Sequence, residues 1–305
     1  MSTAARTPVT PARAWVMAAR PATLPAAAVP VLVGTAAAVS EGVRLRPFVF
    51  IATLCCALLI QIGTNFANDY SDFHRGADHE GRLGPVRVTQ SGLISQAGVR
   101  RGIIVTFALA VLLGAGLAWV GGWPIIVIGA CSLLSGLAYT GGPYPLGYHG
   151  LGDLFVFVFF GLVAVSGTAY LQSGTWSGLA LALAVPIGLL VTNILVVNNL
   201  RDLPTDRAAG KNTLAVRIGA KATRAQYAAF IALAYLVPAA LAISESSHRW
   251  LLLPMLTLPL AIALVRQVSS GVSGHELNAI LERTGKLLLL FGVLMAIALV
   301  LGRVR

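Results

Sequence analysis

Nine runs of apolar residues, near 22–40, 47–70, 102–120, 123–140, 153–171, 178–198, 225–243, 250–267 and 286–302, dominate this sequence. Each is long enough to cross a hydrocarbon core of ~30 Å as a helix of about 20 residues. A segment that crosses lipid must satisfy its own backbone hydrogen bonds, which limits the chain to helices or a closed barrel. Runs of this length predict helices. The expected fold class is therefore all-α: a polytopic membrane protein of nine transmembrane helices in one bundle. Only 11% of the 305 residues are charged, against about 25% in soluble domains. The arginines at 6, 13 and 20 before the first run faintly resemble a signal peptide. That run is long, broken by Pro25 and Pro30, and followed by further spans, so it is expected to stay as the first helix.

The connections predict orientation. With the N-terminus cytoplasmic, 17 of the 22 Lys and Arg residues fall on the inner side and five on the outer, as the positive-inside rule requires. The net charge of +11 is thus a topological signal and points to no nucleic-acid partner. Cys55, Cys56 and Cys131 lie inside apolar runs, with neither metal-ligand nor disulfide spacing.

Acidic residues follow no such rule, yet nine of the eleven lie on the inner side, including all six aspartates. Five aspartates form two clusters. Asn65, Asn68, Asp69 and Asp72 end the second span at i, i+3, i+4 and i+7, followed by Asp78. Asn198, Asp202 and Asp206 end the sixth at i, i+4 and i+8. Each set shares a helix face, with Pro204 expected to distort or end its helix. The Asn-x3-Asp spacing recurs in both, and both ends face inward. This suggests an internal repeat of four-helix units, about 22–140 and 153–267, within a single domain spanning 1–305.

Carboxylates at membrane depth are costly and usually functional. Oxygen-only ligands from Asp and Asn suit a hard cation. Two such faces across a cleft suit Mg²⁺, which commonly pairs one or two carboxylates with phosphate oxygens. Zinc held by His74 or His79 lacks a second set of soft ligands. Arg87 and Lys211 stand in turn-rich loops, GPVRVTQSG and DRAAGKNT, which can fold over a phosphate. Most other basic residues are accounted for by topology and contact with anionic lipid. No P-loop signature occurs.

The strings NDYSDFHRGAD, GPVRVTQSG, YTGGPYPLGYHGLGD and NNLRDLPTDRAAGKNTLAVRIG resemble the UbiA superfamily of intramembrane prenyltransferases. They are most similar to its branch that prenylates 1,4-dihydroxy-2-naphthoate in menaquinone synthesis. The six-residue step from Asp72 to Asp78 fits that branch, and the resemblance covers essentially the whole chain. It implies Mg²⁺ bound by Asn68, Asp72, Asp202 and Asp206, holding the diphosphate of a polyprenyl donor. It implies Arg20, Arg87 and Lys211 as diphosphate-binding cations, with Asn65 and Asn198 beside them. Asp69 and Asp78 are implied as further ligands or supporting catalytic groups. Tyr139, with Tyr144 and Tyr148, either stacks on the aromatic acceptor or sits in an interfacial belt. Asp153 either orients a ring hydroxyl or is a favourable charge at a helix N-terminus. The implied reaction is Mg²⁺-dependent prenyl transfer with loss of CO₂ and diphosphate, giving demethylmenaquinone, from the cytoplasmic side of the cell membrane. The alternatives are another aromatic acceptor, such as 4-hydroxybenzoate or homogentisate, or a transporter with an acidic ion site.

Overall fold

The computed structural model describes residues 9–76, 83–244 and 246–303. The described residues are helical, with no β-strand among them. In chain order the helices are α1 (Pro11–Ala19), α2 (Pro25–Ser40), α3 (Pro47–His74), α4 (Gln96–Gly121), α5 (Trp123–Ala138), α6 (Gly152–Val156), α7 (Ala164–Ser173), α8 (Gly178–Ala208), α9 (Leu214–Ser244), α10 (Leu258–Ser269) and α11 (Glu276–Leu301). Proline opens α1, α2 and α3, where its missing N–H has no helical partner to lose. Ser177 caps α8 by accepting a 2.9 Å hydrogen bond from the Ala180 N–H.

Seven helical segments are long and apolar enough to cross a membrane, and the bent pair Pro11–Thr23 with Pro25–Ser40 makes eight if it is one span. The remaining run, 123–140, is α5, a shorter apolar helix. Gly122 separates it from α4 at φ 70° and ψ −160°, a conformation nearly confined to glycine. The first run is α2, preceded by a second, shorter helical segment. Pro25 opens α2, which runs through Pro30 to Ser40, and α2 meets the preceding helical segment Pro11–Thr23 at 52°.

Elsewhere the helices outlast the apolar runs. α3 continues to His74, and α8 passes through Pro204 to Ala208. Pro204 therefore does not end the helix, one of the two expected outcomes. Its missing N–H removes the usual i→i−4 donor to the Leu200 carbonyl, and in the same turn the Thr205 hydroxyl donates to the Asp202 carbonyl at 2.9 Å. These polar overhangs carry both acidic clusters.

α8 is the hub, packed against α2, α9, α11 and the segment between α6 and α7, and most of its length is buried. With no water to expel between helices, close packing in lipid depends on small residues. Gly161 and Gly188 meet so closely that a Cβ on Gly161 would lie 2.7 Å from the Gly188 Cα. Gly292 abuts Val29 in the same manner, at 2.2 Å. Around Gly161 the chain winds into a π-helical stretch, Phe157–Val163. Such bulges re-aim side chains and are frequent at functional sites. Here Phe155, Phe159 and Phe160 line an internal cavity.

Candidate active site

The overhanging ends of α3 and α8 face one cavity of about 330 Å³. At about 100° per residue, Asn65, Asn68 and Asp72 fall within an arc of about 60°, and all three line the cavity. Asp69 lies about 40° beyond that arc. On α8, Asn198, Asn199, Asp202 and Asp206 span about 100° and line the opposite wall. Arg20, Arg87, Lys211 and Tyr139 complete the polar end. Away from it the walls become Ala26, Ile60, Phe155, Phe159, Phe160 and Leu195. One chamber thus offers charge at one end and hydrocarbon at the other.

Asp72 is the junction of the α3 wall. It is 3% exposed, a burial depth at which a carboxylate needs partners. Its Oδ2 accepts from Arg87 Nη2 at 2.7 Å. Its Oδ1 accepts from Tyr148 Oη at 2.8 Å and Lys211 Nζ at 3.2 Å. Lys211 Nζ also lies 4.5 Å from the centroid of the Tyr148 ring, within cation–π range. The Asn212 N–H donates to the Tyr148 carbonyl at 2.9 Å. Three separate loops therefore close on one carboxylate.

Asp202 is held differently. Arg201 grips both its oxygens, Nε to Oδ1 at 2.8 Å and Nη2 to Oδ2 at 2.6 Å. The same guanidinium reaches Asn198 Oδ1 and Asn278 Oδ1, each at 2.8 Å. Asn278 then donates to the Leu83 carbonyl at 2.9 Å, which ties α11 and the 83–95 loop to the site. Asn68 accepts a 2.7 Å hydrogen bond from the Thr140 hydroxyl.

Three of the expected residues stand away from the cavity or outside the described chain. Asp69 is buried and accepts from the backbone N–H groups of Val88 and Thr89 at 3.2 and 3.0 Å and from the Thr89 hydroxyl. It does not line the cavity; it fastens the loop that carries Arg87. Asp153 is buried at the start of α6, with Oδ2 accepting from Gln226 Nε2 at 2.6 Å. It lies behind the cavity wall, where a Cβ on the adjacent Gly152 would sit 2.9 Å from the Tyr139 hydroxyl. Asp78 lies outside the described residues, as does His79. Among the tyrosines, Tyr144 is exposed and stacks on His149 at 3.6 Å. Tyr139 and Tyr148 face the cavity. The His74 imidazole is exposed and bonds the Tyr70 carbonyl.

Asn199, which the i+4 spacing leaves out, also lines the cavity, beside Asn198 and three residues before Asp202. Arg201 belongs by position to the basic residues that topology accounts for. Its side chain is 1% exposed, too deep for that role alone. Charge counting carries no depth, and only packing reveals it.

The donor set tests the implied metal. Asn68, Asp72, Asp202 and Asp206 offer oxygen atoms only, on two walls of one cavity. Among the described residues no three His, Cys, Asp or Glu side chains cluster as a ready-made metal site. A cation held there would need further ligands from water or phosphate, which is the habit of Mg²⁺. The residues fit that ion.

A model of the UbiA prenyltransferase family matches residues 27–278. The chain belongs to this family. It is 41% identical to 1,4-dihydroxy-2-naphthoate octaprenyltransferase of Mycobacterium tuberculosis, over 95% of this chain and 97% of that protein. It is 38% identical to the protein of the same name in Escherichia coli, over 95% and 96%. A human relative, UbiA prenyltransferase domain-containing protein 1, is 31% identical over 96% of this chain and 87% of its own length. The fold matches a solved UbiA homolog from Archaeoglobus fulgidus bound to GPP and Mg²⁺, with a TM-score of 0.66. That match covers 94% of this chain and 99% of the homolog, at 16% identity. Family membership accounts for the all-helical membrane fold.

Proposed function

We propose that this chain is a Mg²⁺-dependent prenyltransferase that moves a polyprenyl group from polyprenyl diphosphate to 1,4-dihydroxy-2-naphthoate. The observation that carries the reading is the two-ended cavity. Its polar end presents paired Asn/Asp walls and three cations, and its other end is aromatic and aliphatic. A prenyl diphosphate has the same two halves. The acceptor is supported by the names of the relatives at 41% and 38% identity.

The residues divide the work. Arg20, Arg87 and Lys211 would hold diphosphate oxygens, and Asn68, Asp72, Asp202 and Asp206 would hold Mg²⁺. The bound ion supplies positive charge against the leaving diphosphate. The allylic C–O bond breaks with its electron pair passing to the diphosphate. The naphthalene carbon that bears the carboxylate forms the new C–C bond. The carboxylate leaves as CO₂, and its bonding pair restores the aromatic ring. A hydroxyl proton released during attack is returned, so no net proton is consumed. Tyr139 offers a π face to the cation-like allylic carbon. Asp153 with Gln226 supports Tyr139 from behind the wall. Apolar walls keep water from intercepting the cation.

The test is kcat/KM for 1,4-dihydroxy-2-naphthoate and 4-hydroxybenzoate in nanodiscs with one donor. The second ring offers extra buried area worth on the order of 1 kcal/mol at ~25 cal/mol per Å², or about fivefold. Polar groups left unpaired by the wrong acceptor discriminate far more. The expected preference for the naphthoate is on the order of a hundredfold or above. Equal values, or a preference for the benzoate, would reassign the acceptor and leave the diphosphate site standing. No turnover with any aromatic acceptor would favour a transporter.

The chain is proposed to form one domain of nine spans built on two four-helix repeats, with the N-terminus inside and the C-terminus outside. The active site then opens on the cytoplasmic face. Single cysteines near residues 10 and 304, in a background lacking Cys55, Cys56 and Cys131, are expected to label from opposite sides. Labelling of both from one side refutes the odd span count.

A further inference from the structure

Arg20 is the one non-glycine residue among the described residues with a positive φ, at 52°. It ends α1 and begins the short turn Pro21–Thr23, just before the chain bends by 52° into α2. Pro21 follows it, and a residue before proline is pushed out of the right-handed helical region. Glycine would occupy the left-handed position without strain, whereas a side chain does not. A strained residue persists only where its surroundings over-determine it.

The surroundings are unusually complete. The Arg20 N–H closes α1 on the Met17 carbonyl at 3.2 Å. The Arg20 carbonyl accepts from both the N–H and the hydroxyl of Thr23, each at 2.9 Å. The Thr23 hydroxyl oxygen in turn accepts from Asn65 Nδ2 at 3.1 Å and Gln61 Nε2 at 3.2 Å. Asn65 Nδ2 also donates to the Ala19 carbonyl at 2.9 Å. On the far side α11 admits the turn at Gly285, where a Cβ would stand 3.2 Å from the Ala22 carbonyl. Two amides from α3 and a gap in α11 therefore clamp one turn, and the Arg20 side chain it presents lines the polar end of the cavity.

We propose that Thr23, Asn65 and Gln61 are positioning residues that hold the Arg20 turn in its strained conformation so that its guanidinium meets the diphosphate of the donor. Asn65 thus acts through Arg20, because its amide donor is already committed to Ala19 and Thr23. The inference rests on the diphosphate reading of the cavity given above.

The full chain in nanodiscs is tested with inorganic pyrophosphate and Mg²⁺ as the probe, read as protection against heat and as inhibition of turnover. Arg20→Gly is expected to weaken pyrophosphate at least tenfold, the loss of a charge-assisted hydrogen bond. It should melt at or above the temperature of Arg20→Ala, because glycine relieves the strain. Thr23→Val, which keeps shape but loses the hydroxyl, is expected to weaken pyrophosphate about tenfold and leave the acceptor KM unchanged. Asn65→Leu should behave alike. In the Arg20→Gly background, neither change should weaken pyrophosphate further, since coupled sites are non-additive. Additive losses would make Asn65 or Thr23 a direct ligand and overturn the proposal, as would an Arg20→Gly protein that melts below Arg20→Ala. Wild-type protein without pyrophosphate protection would overturn the diphosphate reading and this inference together. Protection that survives Thr23→Val and Asn65→Leu would overturn this inference alone.

Discussion

Asp72→Asn is expected to reduce prenyl transfer at least ~10³-fold at saturating Mg²⁺, the scale of removing a group that stabilises transition-state charge. The change is isosteric, so it removes charge without opening a cavity. Asp72 accepts from Arg87, Lys211 and Tyr148 together. On the proposed reading its loss deprives Mg²⁺ of a ligand, and it weakens the anchoring of Arg87 and Lys211. A buried pair broken on one side costs about 3–5 kcal/mol, so stability is measured beside activity. Asp69→Asn serves as the contrast. Asp69 is equally buried, but its partners are the backbone and hydroxyl of the 88–89 segment. It should lose stability and part of its activity through the misplaced Arg87 loop, with Mg²⁺ affinity unchanged. Activity in radiolabelled-donor assays and melting with and without Mg²⁺ decide the case. Asp72→Asn turning over near the wild-type rate would remove the residue from the mechanism.

These two aspartates show where the sequence is legible. Hydrophobic run length marks the spans, because lipid allows few alternatives. Spacing along a helix places Asn68, Asp72, Asp202 and Asp206 together, because i+4 residues share a face. The same rule fails for Asp69, three residues before Asp72. A wheel position at the edge of a face can turn either way, and a loop distant in sequence decides which. The turn at Arg20 was hidden for a related reason. Pro21 and Pro25 announce a break, but the polar residues that hold it, Gln61 and Asn65, come from another helix. Asp153 reads either as a group facing substrate or as a charge at a helix N-terminus; its place in the first turn of α6, beside Tyr139, emerges only from the packing. Arg201 was concealed most fully, since an arginine in an inner loop is what topology requires.

Arg201→Met is expected to lower the melting temperature strongly and to abolish turnover, while Arg201→Lys falls between. The arginine side chain is 1% exposed and makes four hydrogen bonds, two to Asp202 and one each to Asn198 and Asn278. Methionine matches its length and apolar stem, so packing is largely kept and the electrostatic loss is isolated. Asp202 is then left buried without its counter-ion, at about 3–5 kcal/mol, and Asn278 loses its anchor between α11 and the Leu83 carbonyl. Lysine restores charge but not the planar fork that spans both carboxylate oxygens. The discriminating measurement is the effect of Mg²⁺ on melting without substrate. Any ligand that binds the folded state stabilises it by RT ln(1 + [L]/Kd). A divalent cation at Asp202 would also replace the missing positive charge. Mg²⁺ should therefore raise the melting temperature of Arg201→Met more than that of the wild type, without restoring the fork to Asn278. If Arg201 were only a topological charge, the methionine variant would melt and turn over as the wild type does. If it were purely a structural strut, Mg²⁺ would protect both proteins equally. Greater protection of the variant would place Arg201 in the role of a resident counter-ion, holding Asp202 in place between catalytic cycles.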